Sequence, residues 1–482
     1  MSFFIRNNQG KKSLKRKISQ NVPTQNGINN GVNSKKKSAK KTSKFDDNES
    51  IASSDEEFIE QNRREEDGNF SNASEDEHET AQEKRLRLAK KYLAEIEEEE
   101  KDKAEFEKSA VSRRLREEYL EEKGRLRKRI ADNYTGHENI IELKCKDHKD
   151  SVTCICLSND GENLYSGSKD GSLVKWSLVN KTKVNSICGK RKTPNGIKSV
   201  LCMAVSSDKK FLVVGDSGSK DIKVFNGNDL KHVKNLSGHR GAVTGLAFRR
   251  DTHILYSASE DRSVKVWNLD EMAYVESLFG HQSAITSIDA LTRERAITSG
   301  GFDRSIRLWK IVEESQLIFN GHENSIDAVK FINEDTFLSC GDDGQLCVWS
   351  VMKKKPLCSV TRAHGTDETN GQAMWISSIA TLLNTDLVAS GSRDGKVRLW
   401  KCGDSFKSLT LLFEVEIVGF VNSMAFTQDG KNLVVGIGQE HKLGRWWRIP
   451  EAKNKIIVIS LLQKNETNAA VRLQGYSYIH SG

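Results

Sequence analysis

The chain is 482 residues long, 36% hydrophobic and 29% charged, which is too polar for a chain folded throughout. No run of about 18 apolar residues is present, and the N-terminus lacks an apolar stretch before a cleavage site, so the sequence argues against a membrane span and against secretion. Nine cysteines are scattered without a CxxC pair matched to a second Cys or His pair; no metal or other cofactor is expected, and free thiols suit a reducing compartment.

The formal net charge of +8 is unevenly placed. Residues 1–44 carry twelve Lys and Arg and no acid, and residues 45–79 carry fourteen acids and two Arg. The first 79 residues have too little apolar area to offset the entropy of ordering, so they read as a disordered arm, basic and then acidic. Lys11, Lys12, Lys15, Arg16 and Lys17, followed by Lys35, Lys36, Lys37, Lys40 and Lys41, read as a nuclear import signal. The same cluster suits non-specific contact with RNA. Ser53, Ser54 and Ser74 precede acidic runs and are candidate phosphorylation sites.

At Thr80 the texture changes. Thr80 and Glu83 form a capping box, and Leu86, Ala89, Leu93 and Ile96 follow at helical spacing. Leu115, Tyr119, Leu126 and Ile130 continue a weaker stripe. Residues 80–131 are therefore expected to form one or two exposed, charged helices.

From about residue 135 short alternating strands take over, with a period near 40–50 residues. Trp176, Phe225, Trp267, Trp309, Trp349, Trp400 and Trp446 mark it, so six of the eight tryptophans fall on one repeat position. In five repeats an Asp stands six residues before the Trp: Asp170, Asp261, Asp303, Asp343 and Asp394. A Ser stands four residues before each Asp: Ser166, Ser257, Ser299, Ser339 and Ser390. A His precedes each set: His148, His239, His281, His322 and His364. A His–Ser–Asp set suggests a hydrolase triad, but a nucleophilic centre is needed once, not five times at one spacing. The set reads instead as a buried hydrogen-bonded support, and no enzyme is expected. The repeat ending at Phe225 has Gly215 and Ser219 where Ser and Asp are expected. The one ending at Trp446 has Gly436 and Glu440, and both repeats read as held by packing alone or freed for another task.

These peptides resemble the WD-repeat family. The likeness implies an all-β fold, a seven-bladed β-propeller over residues 135–463 with a flexible tail at 464–482. Either Asn139–Cys145 or Lys455–Leu461 can supply the strand that closes the ring. The likeness sharpens in ETAQEKRLRLAKKYL, EESQLIFNGHENSID and VGFVNSMAFTQDGKNLVVGIGQEHKLGRWWRI, which are similar to the WD-repeat proteins of the U3 small nucleolar ribonucleoprotein, over about Glu79 to Ser460. That resemblance implies a nucleolar scaffold in ribosomal RNA processing and small-subunit assembly. Its implied partners are the U3 small nucleolar RNA, box C/D core proteins including fibrillarin, and proteins of the small-subunit processome.

Propeller loops, not repeat residues, carry specificity. The irregular peptide at 438–449 offers His441, Lys442, Arg445, Trp447 and Arg448, cations beside an aromatic that suit RNA phosphate and unpaired bases. Lys190, Arg191 and Lys192 form a second candidate in a long inter-repeat loop, and residues 365–374 form an insertion that suits a partner contact. The competing reading is a nuclear WD-repeat protein that binds only proteins, as a histone reader or ubiquitin-ligase substrate adaptor, with Glu440 or Asp216 supplying an acidic pocket.

Overall fold

The computed structural model describes residues 81–101, 110–122, 126–143, 146–189, 196–367, 371–444 and 447–464. The import cluster, the candidate phosphorylation sites and the tail lie outside these residues, as do Lys190, Arg191, Lys192 and Arg445.

Two helices lead in, α1 (Ala81–Lys101) and α2 (Ala110–Glu122). Ion pairs one turn apart, Lys91–Glu95 and Arg114–Glu118, brace them, and the Tyr92 hydroxyl donates to Glu118. The helical expectation fails past α2. Residues 126–130 run as a strap that leads into a single 3-10 turn, Ala131–Asn133, and not as an α-helix, because blade backbone and side chains satisfy them instead. Lys128 N–H donates to the Asn384 carbonyl, and Asp386 Oδ1 accepts the N–H groups of Ile130 and Ala131. Arg127 lies over the Phe406 ring and donates to the carbonyls of Cys402 and Gly403.

Seven four-stranded antiparallel sheets then form a β-propeller. Blade 1 holds β2 (Val152–Leu157), β3 (Asn163–Ser168), β4 (Leu173–Ser177) and β5 (Thr182–Ile187). Blades 2 to 6 repeat this plan with β6–β9 (200–236), β10–β13 (243–279), β14–β17 (287–320), β18–β21 (326–360) and β22–β25 (376–416). Alternating apolar side chains on each sheet pack against the next blade; one buried cluster joins Leu399 and Val397 of blade 6 to Leu433, Val435 and Ile459 of blade 7.

Both closure candidates are used, and they pair with each other. Blade 7 consists of β26 (Phe420–Phe426), β27 (Asn432–Gly438), β28 (Lys455–Gln463) and, outermost, β1 (Tyr134–Leu143) from the other end of the propeller. The pairing runs from Tyr134–Gln463 to Leu143–Ile456. It covers an edge that would otherwise stay open.

In each blade the connection between second and third strands leaves on the same face as the connection to the next blade. This loop face carries every candidate contact discussed below. The first strands line a central cavity of about 410 Å³.

Candidate nucleic-acid interface

The loop face is held by a polar chain inside five blades. In blade 3 the Trp267 indole N–H donates to Ser257 Oγ at 2.8 Å, His239 Nε2 lies 2.8 Å from the same oxygen, and His239 Nδ1 lies 3.0 Å from Asp261. For a neutral imidazole these distances fix one tautomer. A neutral His donates from Nδ1 to the carboxylate and accepts the Ser proton at Nε2, leaving Ser Oγ to accept the indole. Blades 5 and 6 repeat it with His322, Ser339, Asp343 and Trp349, and with His364, Ser390, Asp394 and Trp400. In blade 1 Ser172 intervenes between His148 and Asp170, while Ser166 accepts Trp176 and meets His148. These serines are buried and already accept an indole N–H, which is the arrangement of a support.

Blade 4 corrects one assignment. Thr298, not Ser299, meets His281 Nε2 and Trp309 Nε1, both at 2.8 Å; Ser299 Oγ bonds Thr286 instead. Strand register is the reason. Ser166 pairs with Val174, two before the Trp, and Thr298 likewise pairs with Arg307. The turn of blade 4 is one residue longer, so counting ten back from the Trp lands one residue late.

The same register corrects both irregular blades. In blade 2, Val214 stands where the Ser stands elsewhere, opposite Lys223. Packing alone does not hold it. Lys223 Nζ sits 3.0 Å from Asp216 with both side chains buried, and Asp216 also accepts the N–H groups of Lys198, Ser199 and Gly218. In blade 7, Val435 takes the Ser position and Ile459 the Trp position, because Leu433 pairs with Ile459 as Leu164 pairs with Trp176. The repeat therefore does not end at Trp446, which lies outside the described residues, and a long connection, residues 439–454, separates β27 from β28.

That connection is anchored across three blades. Asn422 Nδ2 donates to the carbonyls of Val152 and Glu440, and Asn422 Oδ1 accepts Lys442 N–H. Lys169 Nζ reaches Glu440 and the carbonyls of His441 and Gly444, each at 3.4 Å. Trp375, the other tryptophan off the repeat, lies 4.0 Å from the His441 ring and 6.3 Å from Trp447, centroid to centroid, and its indole donates to Asp327. Arg393 Cζ stands 4.3 Å over Trp447 and pairs with Asp367 of the 365–374 insertion.

His441 is thereby removed from the candidate contacts. It is 1% exposed, and burial, aided by Lys442 and Lys169, pulls its pKa to about 3, so it is a neutral core ring. Lys442 lines the central cavity at the mouth, Trp447 is 44% exposed, and Arg448 is exposed beside Gln439. Neither acid expected to supply a histone reader's pocket is unpaired: Asp216 is paired with Lys223, and Glu440 with Lys169. Sequence reasoning missed Trp375, Arg393, Asp327 and Asn422. The available signal was that Trp375 falls off the repeat.

Known proteins bear on this architecture. The model of the WD domain, G-beta repeat, matches residues 135–177, 230–268, 273–310, 313–350 and 363–401. The human U3 small nucleolar RNA-interacting protein 2 is 52% identical over 80% of this chain and 82% of its own length. A U3 snoRNP-associated protein-like of Arabidopsis thaliana is 34% identical over 84% and 91%. Ribosomal RNA-processing protein 9 of Saccharomyces cerevisiae is 26% identical over 72% and 78%. The solved structure of U3-55K superposes with a TM-score of 0.65 at 49% identity, covering 68% of this chain and all of that one.

Proposed function

The chain belongs to the WD-repeat family of the U3 small nucleolar RNA-interacting proteins, and from that premise we propose that it is a non-catalytic, RNA-binding scaffold subunit of the U3 small nucleolar ribonucleoprotein. Its place is the nucleolus, in processing of ribosomal RNA and assembly of the small subunit. The observation that carries this reading is 52% identity across 80% of the chain.

The loop face supplies the chemistry. Lys442 and Arg448 offer charge to phosphate, and the half-exposed ring of Trp447 offers a stacking surface held rigid by Trp375 and Arg393. His441 supports this group from below. The basic stretch at 1–44 adds sequence-independent, salt-sensitive affinity, and Lys190, Arg191, Lys192 and Arg445 are further cations for the same partner. The partners in this reading are the U3 RNA, box C/D core proteins including fibrillarin, and processome proteins.

Crosslinking of the full chain to RNA in nuclear extract, with sequencing of the RNA and mapping of peptides, tests it. Recovery of U3 RNA with contacts in the 439–454 connection is expected. Crosslinks confined to residues 1–44 and spread over many RNAs would overturn it.

A further inference from the structure

A second group on the loop face is set apart by what occupies its turns. The residue just before each network Asp is Lys169, Glu260, Asp342 or Arg393 in four blades, but Phe302 in blade 4. Phe302 is 80% exposed, the most exposed large hydrophobic side chain among the described residues. The residue just after the Asp has a left-handed backbone in all five blades. Three blades use Gly171, Gly344 and Gly395 there, at φ +84, +64 and +75, as sterics favour. The two adjacent blades 3 and 4 use Arg262 and Arg304 instead, at φ +69 and +56. A backbone conformation that favours glycine is thus occupied by arginine both in the turn that carries Phe302 and in the matching turn of the adjacent blade.

The polar chains hold this group in place. Asp261 accepts Arg240 N–H at 2.7 Å and Ser263 N–H at 3.0 Å, so one carboxylate clamps the loop bearing exposed Arg240 to the turn bearing Arg262. Asp303 does the same in blade 4, accepting Gln282 N–H and Ser305 N–H. The extra residue of that turn is tied down where the Gly301 carbonyl accepts Ile326 N–H from blade 5. Arg304 reaches only the backbone carbonyl of Glu323, and among the described residues no ion pair engages Arg240, Arg262 or Arg304. Their charge stays free for a ligand.

We propose that Phe302 is a stacking site for an unpaired nucleotide of the bound RNA, with Arg304 of its own turn and Arg240 and Arg262 of the adjacent blade on the neighbouring phosphates. A phenyl ring with no polar tip offers a face to any base, and a guanidinium forks onto phosphate oxygens. Exposed Glu260 and Glu323 border the group and limit it to one or two nucleotides, since a longer strand would meet their carboxylates. The inference rests on the RNA-binding reading above and adds a contact on blades 3 and 4, away from the 439–454 connection.

The test uses the full chain titrated into transcribed U3 small nucleolar RNA with box C/D core proteins, at several salt concentrations. Two variants are compared, F302A and the double variant R262G/R304G. The first removes only exposed surface and the second places Gly where the backbone favours it, so both should melt at or above the wild-type temperature. F302A is expected to weaken binding by at least about fivefold, as loss of a stacked base does. R262G/R304G is expected to flatten the salt slope by about 1.4, two phosphate contacts on a single strand. Unchanged affinity and slope beside normal wild-type binding overturn the inference alone. Unchanged RNA affinity with lost association of a core protein overturns it in favour of a protein contact. A wild-type chain that does not bind the RNA overturns the proposed function and this inference with it.

Discussion

Thr298 receives the indole of Trp309 and meets His281 inside blade 4, so its hydroxyl is what the blade needs and its methyl is incidental. Thr298→Ser should leave stability nearly unchanged. Thr298→Val should cost about 2 kcal/mol, because the indole and the imidazole are left buried without a partner; the shift of the urea midpoint checks it. The type of residue at this node was legible from the repeat, but its number was not, since an offset counted along the chain cannot register an extra turn residue. Titration divides two other buried groups by sign. Burial lowers the His148 pKa from 6.5 to about 4 against the pull of Asp170, so the unfolded chain takes up a proton that the folded chain refuses. Its contribution is full above pH 6.5 and lost as pH falls towards 4. Asp327 runs the other way. Burial, helped by Asp342 and opposed by Lys442, raises it from 3.8 to about 7, so the folded chain keeps a proton the unfolded chain has released. That contribution is full below pH 3.8 and lost as pH rises through 7. Asp327→Asn mimics the neutral acid and keeps an acceptor for Trp375; its gain in Tm over wild type should grow between pH 5 and pH 8, and an equal gain at both would refute the assignment.

At the level of the blade, the two repeats without the polar chain found different substitutes, and neither was visible from the sequence. In blade 2, Lys223 stands opposite Val214 and reaches back to Asp216, a pair seven residues apart that no periodicity marks. Both side chains are under 4% exposed, so removing one partner strands the other charge. Lys223→Met should cost about 3–5 kcal/mol, and Asp216→Asn added to it should return much of that; chemical denaturation of the two variants decides. In blade 7 the third strand is aliphatic, with Ile457 and Ile459 facing the core. This freedom from the polar chain is what allows β27 and β28 to be separated by the connection that carries Lys442 and Trp447. Trp446 misled because its spacing of 46 residues matches the repeat, whereas the strand it was assigned to begins only at Lys455. The helical stripe misled in a smaller way: Leu126 and Ile130 keep helical spacing, yet the backbone N–H groups of Lys128 and Ile130 are taken over by Asn384 and Asp386.

For the whole molecule the decisive element is the outermost strand of blade 7. Seven blades, their order and, outside the last blade, their strands were legible, because alternation and a repeated peptide are local signals. The closure was not, because β1 and β28 are joined by about 320 residues of intervening chain and either one alone satisfies the pattern. The pairing matters beyond its own hydrogen bonds. Without β1 the edge of β28 would present Ile457, Ile459 and Leu461 with unpaired backbone to another chain. The strap just before β1 adds a second tie, since Arg127, Asp132 and the N–H groups received by Asp386 all bind blade 6. A chain that starts at residue 126 keeps both ties and should melt in one cooperative transition close to that of the full chain. A chain that starts at residue 144 loses both, and should melt at least 10 °C lower, by the order of ~4–8 °C per kcal/mol for small domains and less for large ones, with light scattering rising before the transition. Calorimetry and scattering on the two truncations decide the matter. If the shorter chain melts like the longer one, the ring is held by blade-to-blade packing and β1 is an ornament of the sheet; if it opens, the first and last strands of the propeller are the latch on which the whole loop face depends.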